Sequence, residues 1–205
     1  MFANYPLTEL KQDSLPLQDE SAKLGDSVLW QRFKQGNDLA FSILYKKYVQ
    51  RLFNYGMHTC YDRELVLDTL QELFGRLWSK RSEVADVDVV NSYLYKSFRR
   101  LLVNKIINKR KQTFILINNG DQSFEILSSI EDSIVLQETT VEQFTKLKRA
   151  IATLTKRQRE VIFLRFYNDL SCKDVASVME MSVESVYNLV AKAIEALRIT
   201  LKGNR

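Results

Sequence analysis

The sequence predicts an all-α protein: two small helical domains joined by a flexible acidic linker, the second domain a helix-turn-helix. Three observations predict this. Apolar residues recur at steps of three and four over long stretches, the spacing of one helix face. Pro and Gly number only 2 and 6 in 205 residues, too few for the turns of a sandwich or barrel. Charge is segregated: residues 89–120 hold no acid, and residues 112–145 hold no Lys or Arg.

Taken in order, SVLWQRFKQG (27–36) reads as a short helix behind Asp26 or Ser27 as cap, stopped by Gly36-Asn37. Phe41, Leu44, Tyr48 and Leu52, with Tyr45, Val49 and Tyr55 beside them, give a long stripe, broken at Gly56 and the polar segment to Asp62. Asp62 caps a helix striped by Val66, Leu70, Leu73 and Leu77, widened by Phe74 and Trp78; SKRSEVADVD (79–88) is a loop. A third long helix buries Val90, Tyr93, Leu94, Ser97, Phe98, Leu101 and Leu102. The helical period fades over 112–140, where Asn118-Asn119-Gly120 is a turn signal and TFILI (113–117) is apolar enough to dock. A new stripe starts near Val141. Thr155 to Gln158 and Ser171 to Asp174 form capping boxes, Asn168-Asp169 ends the helix between them, and Ser182 caps the last helix. The expected layout is an extension (1–25), a helical domain (26–111), the linker (112–140) and a second helical unit (141–205).

Composition bounds the function. Apolar content of 45% and charged content of 27% suit a globular protein, and the net charge of +5 is modest. No apolar run approaches the length needed to span a bilayer, and MFANYPLTELKQD lacks the basic start and apolar core of a secretion signal. Cys60 and Cys172 are expected as reduced thiols in the cytoplasm. There is no nucleophile motif, no Gly-rich phosphate loop and no metal-ligand spacing; His58 stands alone. No catalysis, cofactor, metal or small-molecule substrate is expected.

The distribution of charge points to a polyanion. SFRRLLVNKIINKRK (97–111) carries Arg99, Arg100, Lys105, Lys109, Arg110 and Lys111 without an acid. Such a block attracts phosphates, and Asn91, Tyr93, Tyr95 and Phe98 interleave amide and aromatic groups with it, which suits single-stranded DNA. Tyr93 and Phe98 themselves fit the core better than a base platform. Further on, two short helices with small Ala176 in the first and Val186 ten residues on fit a helix-turn-helix. Its turn has Glu180 where Gly is frequent, so the backbone there is less comfortable.

Three stretches together resemble an extracytoplasmic-function sigma factor of the sigma-70 family, in the style found in Bacteroidetes: AFSILYKKYVQRLFNYG (40–56), DTLQELFGRLW (68–78) and LTKRQREVIFLRFYNDLSCKDVASVMEMSVESVYNLVAKAIEALR (154–198). The resemblance implies a transcription initiation factor that works inside RNA polymerase holoenzyme. Its first domain (sigma region 2) would bind the beta-prime clamp and melt the minus-10 element. Its second (sigma region 4) would bind the minus-35 element and the beta flap. An anti-sigma factor, often membrane-anchored, is implied as a further partner beside core RNA polymerase and promoter DNA. The linker would run through the polymerase near the RNA exit path.

The residues allow that assignment. Asp68, Gln71, Glu72 and Gly75 share a polar helix face that a partner helix can approach, and are expected to bind the polymerase clamp. Asn91, Arg99, Arg100, Lys105, Lys109 and Arg110 are the minus-10 candidates, with the base-capturing loop placed near Arg81–Val89. Lys173, Ser182, Ser185, Tyr187, Asn188 and Lys192 are the minus-35 candidates; among Glu184, Ser185, Tyr187, Asn188 and Lys192, near the start of the reading helix, Lys192 alone is basic. Lys156, Arg157 and Arg159 could hold DNA backbone or the flap. The competing reading is a stand-alone helix-turn-helix regulator on duplex operator DNA, which would need neither the DTLQELFGRLW face nor the basic block. A protein-interaction adaptor is disfavoured by that block.

Overall fold

The computed structural model describes residues 24–117, 146–147 and 149–202, and all regular structure among them is helical. Four helices make the N-terminal unit: α1 Asp26–Lys34, α2 Asp38–Thr59, α3 Arg63–Ser79 and α4 Val90–Ile117. A helical stretch at 149–153 leads into α5 Lys156–Ile162, a π-helical turn Phe163–Tyr167, α6 Cys172–Met179 and α7 Val183–Lys202. Most of the acidic linker, and the extension up to residue 23, lie outside the described residues.

Local chemistry fixes most helix starts. The Asn37 side chain accepts from Ala40 N at 2.8 Å, and Asp62 from Leu65 N at 3.1 Å. Both capping boxes close, Thr155 with Gln158 and Ser171 with Asp174. Ser182 Oγ accepts from Ser185 N at 3.1 Å. The cap expected at α1 is different. Gly25 is its N-cap and offers no side chain, while Asp26 lies inside the helix. The Asp26 carboxylate is drawn away by Lys47 Nζ at 2.5 Å and by the Tyr48 hydroxyl. That contact ties α1 to α2.

Gly56 does not break α2, which runs through it to Thr59. The glycine is buried, and a Cβ there would lie 2.7 Å from Val66 Cγ1 and 3.1 Å from Phe98 Cζ. Gly56 is the gap through which α3 and α4 approach α2, a packing reason that local pattern does not reveal. Similarly, α4 continues past the boundary expected near Gln112 and covers TFILI. Nothing in 112–117 can stop a helix; the first residues that can, Asn118-Asn119-Gly120, come after it.

Trp30, Phe33, Tyr48, Leu52, Tyr55, Val66, Leu94, Phe98 and Leu102 fill the N-terminal core. Val161, Leu164, Leu170, Val175, Val178 and Val186 fill the C-terminal one, and both sets join one buried cluster. The α6–α7 turn is as tight as expected. Glu180 takes a left-handed conformation (φ 54°, ψ 53°), and Ala176 is buried where the helices cross.

Candidate nucleic-acid interface

The polar face of α3 divides in two. Asp68, Gln71 and Gly75 are exposed, and a Cβ on Gly75 would meet nothing within 4 Å. This part is open to a partner. Glu72, by contrast, is engaged within the chain. Lys105 Nζ lies 2.9 Å from its Oε2, and Arg76 pairs with Oε1. The hydrogen bond from Lys105, then its charge and that of Arg76, hold the Glu72 carboxyl below its ordinary value.

The basic helix α4 is less bare than its sequence suggests. Lys105 is bound to Glu72, and Lys109 pairs with Asp62 at the head of α3. Arg99 Nε donates to Glu160 Oε1 of α5 at 2.8 Å, and Asn91 Nδ2 donates to the Asn168 carbonyl at 3.2 Å. Arg100 and Arg110 remain exposed. So four of the six residues expected to meet the minus-10 strand, Asn91, Arg99, Lys105 and Lys109, contact other parts of the chain. Tyr95, grouped in the sequence with the bases as an aromatic platform, is fully buried and cannot stack on a base in this arrangement. Phe98 is likewise core and Tyr93 packs on Trp30.

The loop before α4 is tied down. Arg81 stacks 4.5 Å from the Trp78 ring centroid and donates to the Trp78 carbonyl; Asp86 binds Gln31 and Lys34; Trp30 Nε1 donates to the Ala85 carbonyl at 3.2 Å. Ser82, Glu83, Asp88 and Val89 face solvent.

On α7, Ser182, Ser185, Tyr187, Asn188 and Lys192 are all exposed, as is Lys173 at the start of α6. They lie on the outer side of the helix-turn-helix, opposite buried Val186 and Ala193. Tyr187 keeps 60% of its surface, and Ser182 and Ser185 share a hydroxyl contact of 2.8 Å at the helix start. The structure therefore leaves all six helix-turn-helix candidates exposed and places Asn91 and Arg99 of the α4 candidates under the C-terminal unit.

That cover is a seam the sequence did not disclose. Tyr55 OH of α2 donates to the same Glu160 oxygen as Arg99, at 2.6 Å. Burial, then the neighbouring Glu160 charge, push the Tyr55 phenol well up, so it stays a donor. Burial works against the Arg99 charge, yet Glu160 raises its pKa above the ordinary value. Tyr95 OH donates to Asn168 Oδ1, whose amide nitrogen reaches the Phe163 carbonyl at 3.2 Å. Phe163 stacks on Tyr167 at 4.7 Å between ring centroids and meets His58, tilted by 51°, at 4.5 Å. These partners lie up to 105 residues apart, beyond the reach of any local pattern.

Residues 144–197 match the family described as Sigma-70, region 4. The chain is similar to RNA polymerase sigma factor SigV of Bacillus subtilis, 26% identical over 66% of this chain and 75% of that protein. It is also similar to RNA polymerase sigma-H factor of Pseudomonas aeruginosa, 22% identical over 84% of this chain and 91% of that one. In fold it resembles CnrH, solved in complex with the cytosolic domain of CnrY (TM-score 0.58, 16% identity, 88% of this chain and 99% of that one). It also resembles the sigma factor RpoE of Bartonella quintana, solved with the anti-sigma factor NepR (TM-score 0.56, 18% identity, 79% and 98%). Together these matches give the C-terminal unit a sigma-70 region 4 pattern and make the chain similar to two RNA polymerase sigma factors.

Proposed function

We propose that the chain is the promoter-recognising subunit of an RNA polymerase holoenzyme, with no active site of its own. The exposed part of the α3 face, Asp68, Gln71 and Gly75, docks on the beta-prime clamp. Its carboxylate and amide pair with basic groups, and the bare glycine lets a partner helix come close. Glu72 joins them once Lys105 is drawn to DNA. The basic face of α4, with Arg99, Arg100 and Arg110 leading, holds the opened minus-10 strand through its phosphates. Lys105, Lys109 and Asn91 contribute after release from their internal partners. The outer surface of α7 enters the major groove at the minus-35 element. There Asn188 and Ser185 read base edges, and Lys173 and Lys192 hold phosphates.

The observation that carries this reading is a single chain with an exposed acidic helix face, a basic helix and a solvent-facing helix-turn-helix, in that order. Sigma-factor relatives spanning most of the chain support it. A stand-alone operator binder would have no use for the first two features. CnrH and RpoE were solved with protein partners, one of them named an anti-sigma factor, which supports an anti-sigma factor as the regulator here. That partner is often membrane-anchored in this family. Among the described residues no helix is long and apolar enough to cross a membrane.

The test is association with core RNA polymerase on a sizing column. Wild type is expected to co-elute with core enzyme, and Asp68→Arg combined with Gln71→Arg to elute alone with unchanged circular dichroism. Co-elution of the variant at wild-type level would sink the clamp assignment.

A further inference from the structure

We propose that α7 is also a self-pairing helix: it docks on α7 of a second copy of this chain, antiparallel, along an apolar stripe that the fold leaves open. The self-pairing stands on the surface of α7 alone and does not depend on the initiation-factor reading.

Val183, Tyr187, Val190, Ile194, Leu197 and Leu201 follow one another at steps of four, three, four, three and four. That alternation is the period of a two-helix seam, and it runs the whole of α7. The chain's own core faces another way. Val186 and Ala193 are the buried positions of α7, and the stripe is centred roughly 60° round the helix from Val186. Val183, Tyr187, Ile194 and Leu201 keep 40%, 60%, 47% and 43% of their surface, with Val190 and Leu197 half-buried between them. Apolar residues exposed singly are ordinary, but a continuous stripe in strict register fits a partner helix. The register and the charges identify that helix. Turned end for end, the stripe matches its own copy: Val183 faces Leu201, Tyr187 faces Leu197 and Val190 faces Ile194, each pair repeated by the two-fold axis. The solvent-side flank of the stripe carries Glu184, Ala191 and Arg198. In the antiparallel pair each Glu184 comes beside Arg198 of the second copy, and small Ala191 at the centre lets the helices close. A parallel pair would set Arg198 against Ala193 and leave both charges unpaired. Within the chain neither charge is firmly committed. Glu184 has no ion pair among the described residues, and Arg198 meets Glu195 at 3.6 Å in an exposed contact that contributes little. A seam of about 30 Å buries less than a standard interface, so the pairing is reversible and concentration-dependent. Tyr187 belongs both to the seam and to the minus-35 candidates, so on that reading the pair and the promoter duplex exclude one another.

The test is sedimentation equilibrium of the full chain up to several hundred micromolar, with reductant present because Cys60 and Cys172 are free. Wild type is expected to show a reversible monomer–dimer equilibrium. Ile194→Gln, which removes an exposed apolar side chain and keeps a good helix former, should raise the dissociation constant at least tenfold with unchanged circular dichroism. Glu184→Arg and Arg198→Glu should each weaken pairing at low salt, and the two together should restore it. The double swap is decisive, because both native charges also suit the dipole of their own helix. The swapped chain has each charge at the wrong helix end and still has the ion pair across the seam. A double variant no tighter than the single ones would overturn the antiparallel register. A dimer indifferent to Ile194→Gln, or a wild type monomeric throughout, would overturn the self-pairing. If that monomeric chain loses co-elution with core RNA polymerase on Ile194→Gln, the stripe belongs to the polymerase instead. The clamp variant described above reads a different helix, so the initiation-factor reading stands or falls separately.

Discussion

Lys105 Nζ lies 2.9 Å from Glu72 Oε2, joining α4 to α3. The sequence assigns these two side chains to different macromolecules, and in the free chain they satisfy each other. The bridge is partly exposed, with 27% and 29% of the side-chain surfaces accessible, so it stabilises by at most about 1 kcal/mol. The hydrogen bond from Lys105 holds the Glu72 carboxyl below 4.5. Because the folded pKa is depressed, the stabilisation is present above the unfolded value and is lost as pH falls through the folded one. Lys105→Met should therefore cost stability in urea at pH 7, and cost less at acid pH. An equal difference at both pH values would contradict the bridge.

Two helix glycines should respond oppositely to alanine. At Gly56 the new Cβ meets Val66 and Phe98. Overpacking of about 1–3 kcal/mol outweighs the roughly 1 kcal/mol of helix propensity gained, and the melting temperature should drop. At Gly75 nothing lies within reach, so alanine should stabilise by up to about 1 kcal/mol. If Gly75 admits a close partner helix, the same change should weaken core-polymerase binding. Thermal melts and sizing chromatography check both.

Glu180 sits at φ 54° in the helix-turn-helix. Glycine adopts that conformation without a steric penalty, so Glu180→Gly should stabilise the chain by about 1 kcal/mol. A loss of stability in the same urea titration would mean that the carboxylate contributes more than the strain it tolerates.

On α7, the two kinds of contact are separable by salt. Lys192→Ala should weaken binding to every duplex alike and reduce the slope of log affinity against log salt by about 1. Asn188→Ala should leave the slope alone and lower discrimination between promoter and random duplex by about 1–3 kcal/mol. Anisotropy titrations of the holoenzyme at several salt concentrations tell them apart.

What the sequence disclosed follows the range of the forces involved. Asp62, Thr155, Ser171 and Ser182 were legible as helix starts because a cap and its amide lie three residues apart, whereas Asn37, read only as a stop, also caps α2. The exception, Asp26, was claimed by Lys47 and Tyr48 on the next helix. Gly56 reads as a breaker from local propensity, and only the packing of Val66 and Phe98 against it shows why a glycine is there. The site was legible as residue types and not as partnerships. The acid-free run of α4 was plain, but its neutralisation by Glu72, Asp62 and Glu160 depends on elements brought together by the fold. Glu160 gave no sign of its pairing with Arg99 and Tyr55, lying within a basic stretch as one ordinary helix acid.

The most direct measurement is in vitro transcription with purified chain, core RNA polymerase and fragmented genomic DNA, followed by sequencing of the transcript 5′ ends. The expected result is a set of starts that depends on the added chain and shares two upstream motifs at fixed distances. Tight duplex binding by the chain alone, with no new starts in the presence of core enzyme, would contradict the account and point to a stand-alone regulator.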